Sequence, residues 1–204
     1  MALDRGLLES TIGYIRDRSP ELVHLRDVYE FLSKSYDFSE EQLSLHKQSA
    51  GQVEPNWMHD IRNLMNPQKG RGLLVNPKQN YWGIAKRRSG DFDDGFFEKL
   101  FDMMIKQSAT FERADERLPN LRKSSEWFRV VSYSAEVIVI RRNDGKEYNI
   151  RKSMAVKHLR HLAYCGESVD VGKLHRNSAV ESAIIHLCSM VSMDEGSISL
   201  NVSK

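Results

Sequence analysis

Asn56-Trp-Met-His-Asp-Ile-Arg-Asn-Leu-Met-Asn-Pro67, followed by Gly70-Arg-Gly-Leu-Leu-Val-Asn-Pro-Lys-Gln-Asn-Tyr-Trp-Gly-Ile84, decides how the first half of this chain is read. Trp57, Ile61, Leu64 and Met65 recur at i, i+4, i+7 and i+8, the spacing of a single buried helix stripe, and Pro67 is expected to close the helix. At 100° per residue the opposite face carries Asn56, His59, Arg62, Asn63 and Asn66. Those side chains suit base edges: Asn bonds adenine bidentately and Arg bonds guanine, whereas an ordinary exposed helix presents pairs of Glu and Lys. Leu73-Leu-Val75 and Tyr81-Trp-Gly-Ile84 then flank a polar, basic turn, which reads as a two-stranded hairpin.

Upstream, Leu8, Ile12 and Ile15 mark a short amphipathic helix from Leu7 to Arg16. A second helix is expected from Pro20, placed in its first turn, to about Lys34, burying Leu22, Leu25, Val28, Tyr29 and Leu32. Ser39-Glu-Glu-Gln begins like a helix cap with early acids and opens a brief third turn through Leu43 and Leu45. His46 to Glu54 reads as a polar loop. Helices followed by a hairpin match the winged form of the helix-turn-helix, with a recognition helix in the major groove and a wing beside it.

The formal net charge of +2 hides an uneven distribution. From Ile61 to Gly90 there is no Asp or Glu, while Arg62, Lys69, Arg71, Lys78, Lys86, Arg87 and Arg88 supply seven positive charges. A basic block in an otherwise balanced chain is the footprint of a polyanion-binding surface. With Gln79 in the hairpin turn, these residues join the helix face as candidate DNA contacts, the flanking cations on phosphates. Asp91, Asp93, Asp94 and Glu98 reverse the sign, which places a boundary near Ser89-Gly90 and divides the chain into domains 1–88 and 91–204.

Trp57-(x)4-Arg62-x-Leu64, Gly72-Leu-Leu74 and Tyr81-Trp-Gly-Ile84, preceded by Phe38-Ser-Glu-Glu41, resemble the N-terminal winged-helix domain of Mrr-type restriction proteins over about residues 7–84. The chain departs from that pattern at Asn66-Pro67, where the family's helix usually runs on, and at Tyr81, where the family places Gly before the tryptophan. The resemblance implies DNA binding in a restriction or defence setting; the spacing alone points to a winged helix.

The second half reads as a small α+β domain, a helix-turn-helix-like module being the other form its helices allow. A helix over 92–106 buries Phe96, Phe97, Leu100, Phe101, Met104 and Ile105, and the charged stretch 112–125 links it to strands at 127–133, 136–142 and 147–151. Helices over 153–164, ending at Gly166, and 177–190 precede a final strand over 197–202. A nuclease of the family's type would need an acid and a Glu/Gln-x-Lys strand, but Ile138 stands where the lysine belongs. Asp144, Lys146 and Glu147 have suitable chemistry, yet Asn143-Asp-Gly is a hairpin turn that places its acids in solvent. His158, His161 and Cys165 share a helix face, and His186 and Cys188 follow on the next helix. There is no Cys-x-x-Cys, Cys188 projects with Ala183, Ile184 and Leu187 toward the core, and a His-Asn-His nuclease on His175, Asn177 and His186 lacks its strand scaffold. No catalytic residue, metal or cofactor is assigned.

Arg141 to Arg160 holds seven cations against two carboxylates. Arg141, Arg142, Arg151, Lys152, Lys157 and Arg160 therefore form a candidate second DNA contact, with a solvated face or a dimer contact as the alternatives. A content of 40% hydrophobic and 28% charged residues with a mean hydropathy of −0.52 indicates a soluble, folded chain. Two cysteines and no long apolar run lead to the expectation of a reducing, cytoplasmic setting. The expected function is recognition of duplex DNA, by sequence or by base modification, as a specificity module of a restriction or defence system. Double-stranded DNA is the partner, together with a nuclease subunit or a second copy. The alternatives are a winged-helix transcriptional regulator and a metal-dependent DNA endonuclease with a diverged site.

Overall fold

Leu7, Thr11 and Ile15 line the buried stripe of the first helix, α1 (Arg5–Arg16), which begins where the Asp4 carboxylate accepts the Leu7 N–H at 3.0 Å. In the computed structural model the described residues are 4–47, 53–86, 91–93, 95–166, 169–170, 175, 177–194 and 197–201. The chain is mixed α+β and divides into two compact units, residues 1–85 and 86–204.

In the N-terminal unit, β1 (Val23–His24) precedes α2 (Leu25–Ser35), so the helix expected from Pro20 begins five residues later. The cause is tertiary. Val23 and His24 pair with Trp82 and Tyr81, which demands extended backbone, and the His24 ring then caps α2 by accepting the Arg26 N–H at 3.1 Å. The short α3 (Glu40–Leu43) carries the capping box its sequence announces, with Ser39 and Gln42 bonded reciprocally. Where a loop was expected, β2 (Leu45–Lys47) and β3 (Val53–Pro55) pair antiparallel.

The helix α4 (Asn56–Gly70) runs through Pro67 rather than stopping there. Pro67 removes a single backbone donor near the helix end, and the last turn is held by other means. Gln68 is buried and donates its side-chain amide to the Leu64 carbonyl at 3.1 Å. Beyond it, Gly72 at φ +67° lets the Gly72 and Leu73 N–H groups return to the Lys69 and Gln68 carbonyls at 3.2 and 3.0 Å, a paired C-terminal cap. β4 (Leu74–Lys78) and β5 (Tyr81–Ile84) form the expected hairpin around Gln79-Asn80, with Asn80 at φ +60°. β1 adds to its free edge, giving the sheet order β1-β5-β4. The core beneath gathers Leu7, Ile15, Val28, Leu32, Ile61 and Met65, with Leu74 and Trp82 from the hairpin.

The C-terminal unit opens with α5 (Phe96–Ala114), which absorbs the start of the stretch expected to be a linker. β6 (Leu118–Pro119), β7 (Trp127–Tyr133), β8 (Val137–Arg142) and β9 (Glu147–Arg151) make a four-stranded antiparallel sheet in that order. Phe128, Val130, Ile138, Ile140 and Ile150 alternate onto its buried face. α6 (Lys152–Cys165) ends at Gly166 as expected, and α7 (Ser178–Leu187) follows. β10 (Val169–Asp170), β11 (Val191–Asp194) and β12 (Ser197–Leu200) form a second sheet ordered β10-β12-β11, of which only the last strand was anticipated. Arg122 reaches the fully buried Glu181 carboxylate of α7 at 3.0 Å, so that buried charge is paired.

Candidate nucleic-acid interface

Trp57, Ile61, Leu64 and Met65 of α4 face inward, and Trp57 stacks on Phe38 with centroids 4.6 Å apart and meets Tyr29 edge-on at 5.5 Å. That anchorage turns the polar face outward, but its members differ in what they are free to do. The Asn56 amide donates to the Glu41 carbonyl at 3.0 Å and to Ser44 Oγ at 2.7 Å, fastening the helix start to α3. His59 stacks on His46 of β2 at 4.5 Å. Asn63 and Asn66 are exposed, and their side chains make no hydrogen bond among the described residues.

Arg62 departs from its expected role. Its guanidinium forks onto the Glu54 carboxylate of β3 and also donates to the Tyr29 hydroxyl at 2.8 Å. The hydrogen bond to Glu54 raises the basicity of Arg62 against the opposing effect of burial, while burial raises the Tyr29 phenol. Its donors are turned to protein, so Arg62 joins β3, α4 and α2 instead of presenting a fork to guanine. No helical or strand period signals this: Glu54 and Arg62 lie eight residues apart, on β3 and on the helix that follows it directly. His46 and Glu54, a cross-strand pair, engage α4, and Leu45 and Val53 point away with 71% and 57% exposure.

At the helix end and hairpin, Arg71 and Lys78 stand outward. Arg71 is exposed, Lys69 lies half-buried over the Trp82 ring at 5.6 Å, and Lys78 is exposed with its ammonium 5.0 Å from the Tyr81 ring. Gln79 is exposed at the turn, which the buried Asn76 amide pins by donating to the Lys78 and Tyr81 carbonyls at 2.9 and 2.6 Å. Lys86 is exposed and belongs to the C-terminal unit, where its N–H donates to the Tyr164 carbonyl at 3.1 Å; Arg87 and Arg88 lie outside the described residues.

The second candidate contact is largely engaged with carboxylates. Arg141 pairs with Glu147 at 2.6 Å, Arg142 with Glu126 at 3.4 Å and with Asp144, Lys152 with Asp102 at 3.7 Å, and Arg160 with Glu98 at 3.1 Å. Arg151 and Lys157 are exposed. Asp144 is held far below the usual carboxylate range by its hydrogen bond to Arg142 and accepts the Lys146 N–H at 3.1 Å, so the acids of the Asn143-Asp-Gly turn act as ion-pair partners. Cys165 is buried with Sγ 4.0 Å from His161 Nδ1, His158 meets His175 edge-on at 5.4 Å, and burial pushes the Cys188 thiol up. Among the described residues no group of three or more His, Cys, Asp or Glu is placed to hold a metal ion, and no helix is long and apolar enough to cross a membrane. No family model matches the chain, and neither does any curated protein or solved structure.

Proposed function

We propose that the N-terminal unit is a winged-helix module that binds duplex DNA, with α4 presented to the major groove and the β4–β5 hairpin as its wing. The observation that carries this reading is the element order α1, β1, α2, α3, β2, β3, α4, β4, β5, in which α4 is followed directly by the β4–β5 hairpin and β1 closes the sheet as β1-β5-β4. Residues 61–85 of that unit add four cations and no carboxylate, which suits a phosphate-facing surface. Asn63 and Asn66, one turn apart and exposed, take the base edges; Lys69, Arg71 and Lys78 take phosphates. The role in a restriction or defence system, reading sequence or base modification for a catalytic partner, rests on the likeness of this segment to Mrr-type proteins.

The test is titration of the full chain against fluorescent duplexes that carry unmodified, methylated or hydroxymethylated cytosine, each at several salt concentrations. Binding that weakens steeply as salt rises, with one duplex preferred, is the expected result. Absence of saturable binding to every duplex at low salt overturns the reading.

A further inference from the structure

A cavity of about 640 Å³ opens beside the first half of α4, wholly within the N-terminal unit. Its size falls within the roughly 300–1,000 Å³ typical of small-molecule sites. Part of its polar lining already has partners: Asp4 accepts from the Leu7 N–H, the Tyr36 hydroxyl and the Gln42 amide, and Asn56 donates to α3 and Ser44. These groups build the wall. Glu41, Asp60, Asn63 and the His46–His59 stack also line it, and their side chains make no hydrogen bond or ion pair among the described residues. Leu64 supplies apolar surface, and among the described side chains neither Lys nor Arg contributes to the lining.

Three carboxylates with no cation among the described lining groups favour positive charge over phosphate or carboxylate ligands. A bare metal ion is also a poor fit, because no three ligating groups among the described residues converge on one point. What fits is positive charge spread over a molecule with an apolar middle. We infer that the cavity binds a small organic cation with two or more amino or guanidino groups, whose ends donate charge-assisted hydrogen bonds to Glu41 and Asp60 while its hydrocarbon part lies against Leu64 and the imidazoles. The inference stands on the geometry of this cavity and is tested without DNA, so its failure leaves the DNA-binding reading untouched.

The experiment is calorimetric titration of the full chain with putrescine, agmatine and spermidine at fixed ionic strength, with magnesium chloride and cytidine as comparison ligands. One saturable site per chain for at least one of the amines is expected. Glu41→Gln and Asp60→Asn each weaken it about tenfold, and Glu9→Gln, an exposed acid on α1 outside the cavity lining, leaves it unchanged. Asn63→Lys, at an exposed position, places a cation at the rim and abolishes binding without disturbing the core, as circular dichroism checks independently. Amine uptake that does not saturate, that Glu9→Gln reduces as much as Asp60→Asn does, or that Asn63→Lys leaves intact overturns the proposal. So does tighter binding of cytidine or magnesium than of any amine.

Discussion

Arg62 and Asn63 are neighbours on α4 with opposite fates, and the difference lies in what each side chain meets. Arg62→Ala removes the forked ion pair to a Glu54 carboxylate whose side chain is 14% exposed and also removes a donor to Tyr29. It is expected to cost about 1–3 kcal/mol of stability in urea unfolding, with equal losses of affinity on preferred and scrambled duplexes. Asn63→Ala is expected to leave stability within about 0.5 kcal/mol and to cost about 1–3 kcal/mol of binding on the preferred duplex, less on the scrambled one. The reverse ranking in paired unfolding and anisotropy measurements would return Arg62 to the base-reading set. Asp4 offers a second residue-scale check. Burial would raise its carboxyl, but the Leu7 N–H, the Tyr36 hydroxyl and the Gln42 amide together hold it below its ordinary value. A depressed folded value means that the carboxylate stabilises the fold above its unfolded pKa of about 3.9, and that this contribution is lost as pH falls through the folded value. Asp4→Ala should therefore cost about 0.5–2 kcal/mol near neutrality, a deficit that shrinks below about pH 4 in acid-unfolding curves.

At the scale of elements, α4 and the hairpin after it depend on two positions of positive φ. Gly72→Ala places a side chain at φ +67° in the cap that ends α4, and a loss of about 1 kcal/mol is expected from thermal unfolding. The hairpin presents Lys78 at its tip, where a phosphate contact would be independent of sequence. Lys78→Ala should weaken all duplexes alike and reduce the slope of log K against log salt by about one unit; an unchanged slope takes Lys78 out of the interface. These two elements were legible because their signals are local: an i, i+4, i+7, i+8 stripe, and two apolar runs around a polar turn. The strands at 137–142 and 147–151 around Asn143-Asp-Gly were legible for the same reason. The extended residues Val23 and His24 were not, since two residues carry no periodicity and take their conformation from Trp82 and Tyr81, nearly sixty positions away.

The whole molecule is two units, each with its own buried core, and the basic residues assigned to the proposed interface fall almost entirely in or just beyond the first. A chain ending at Gly90 should fold, by circular dichroism and cooperative melting, and bind duplex DNA with an affinity within about tenfold of the full chain. A folded fragment without affinity would shift DNA recognition to residues 91–204. By itself the sequence determined the periodic elements, the inward stripe of α4, the hairpin and the concentration of positive charge at 61–90, because periodicity and charge are properties of neighbours along the chain. Tertiary structure alone decided which charged groups are free. Arg62 meets Glu54 across the junction of β3 and α4, and Arg142, Lys152 and Arg160 meet Glu126, Asp102 and Glu98 through strand register and helix packing. The cavity lined by Glu41, His46, His59 and Asp60 has the same origin. A guanidinium reads the same in a sequence whether it faces water or a carboxylate, and only the folded contacts tell the two apart.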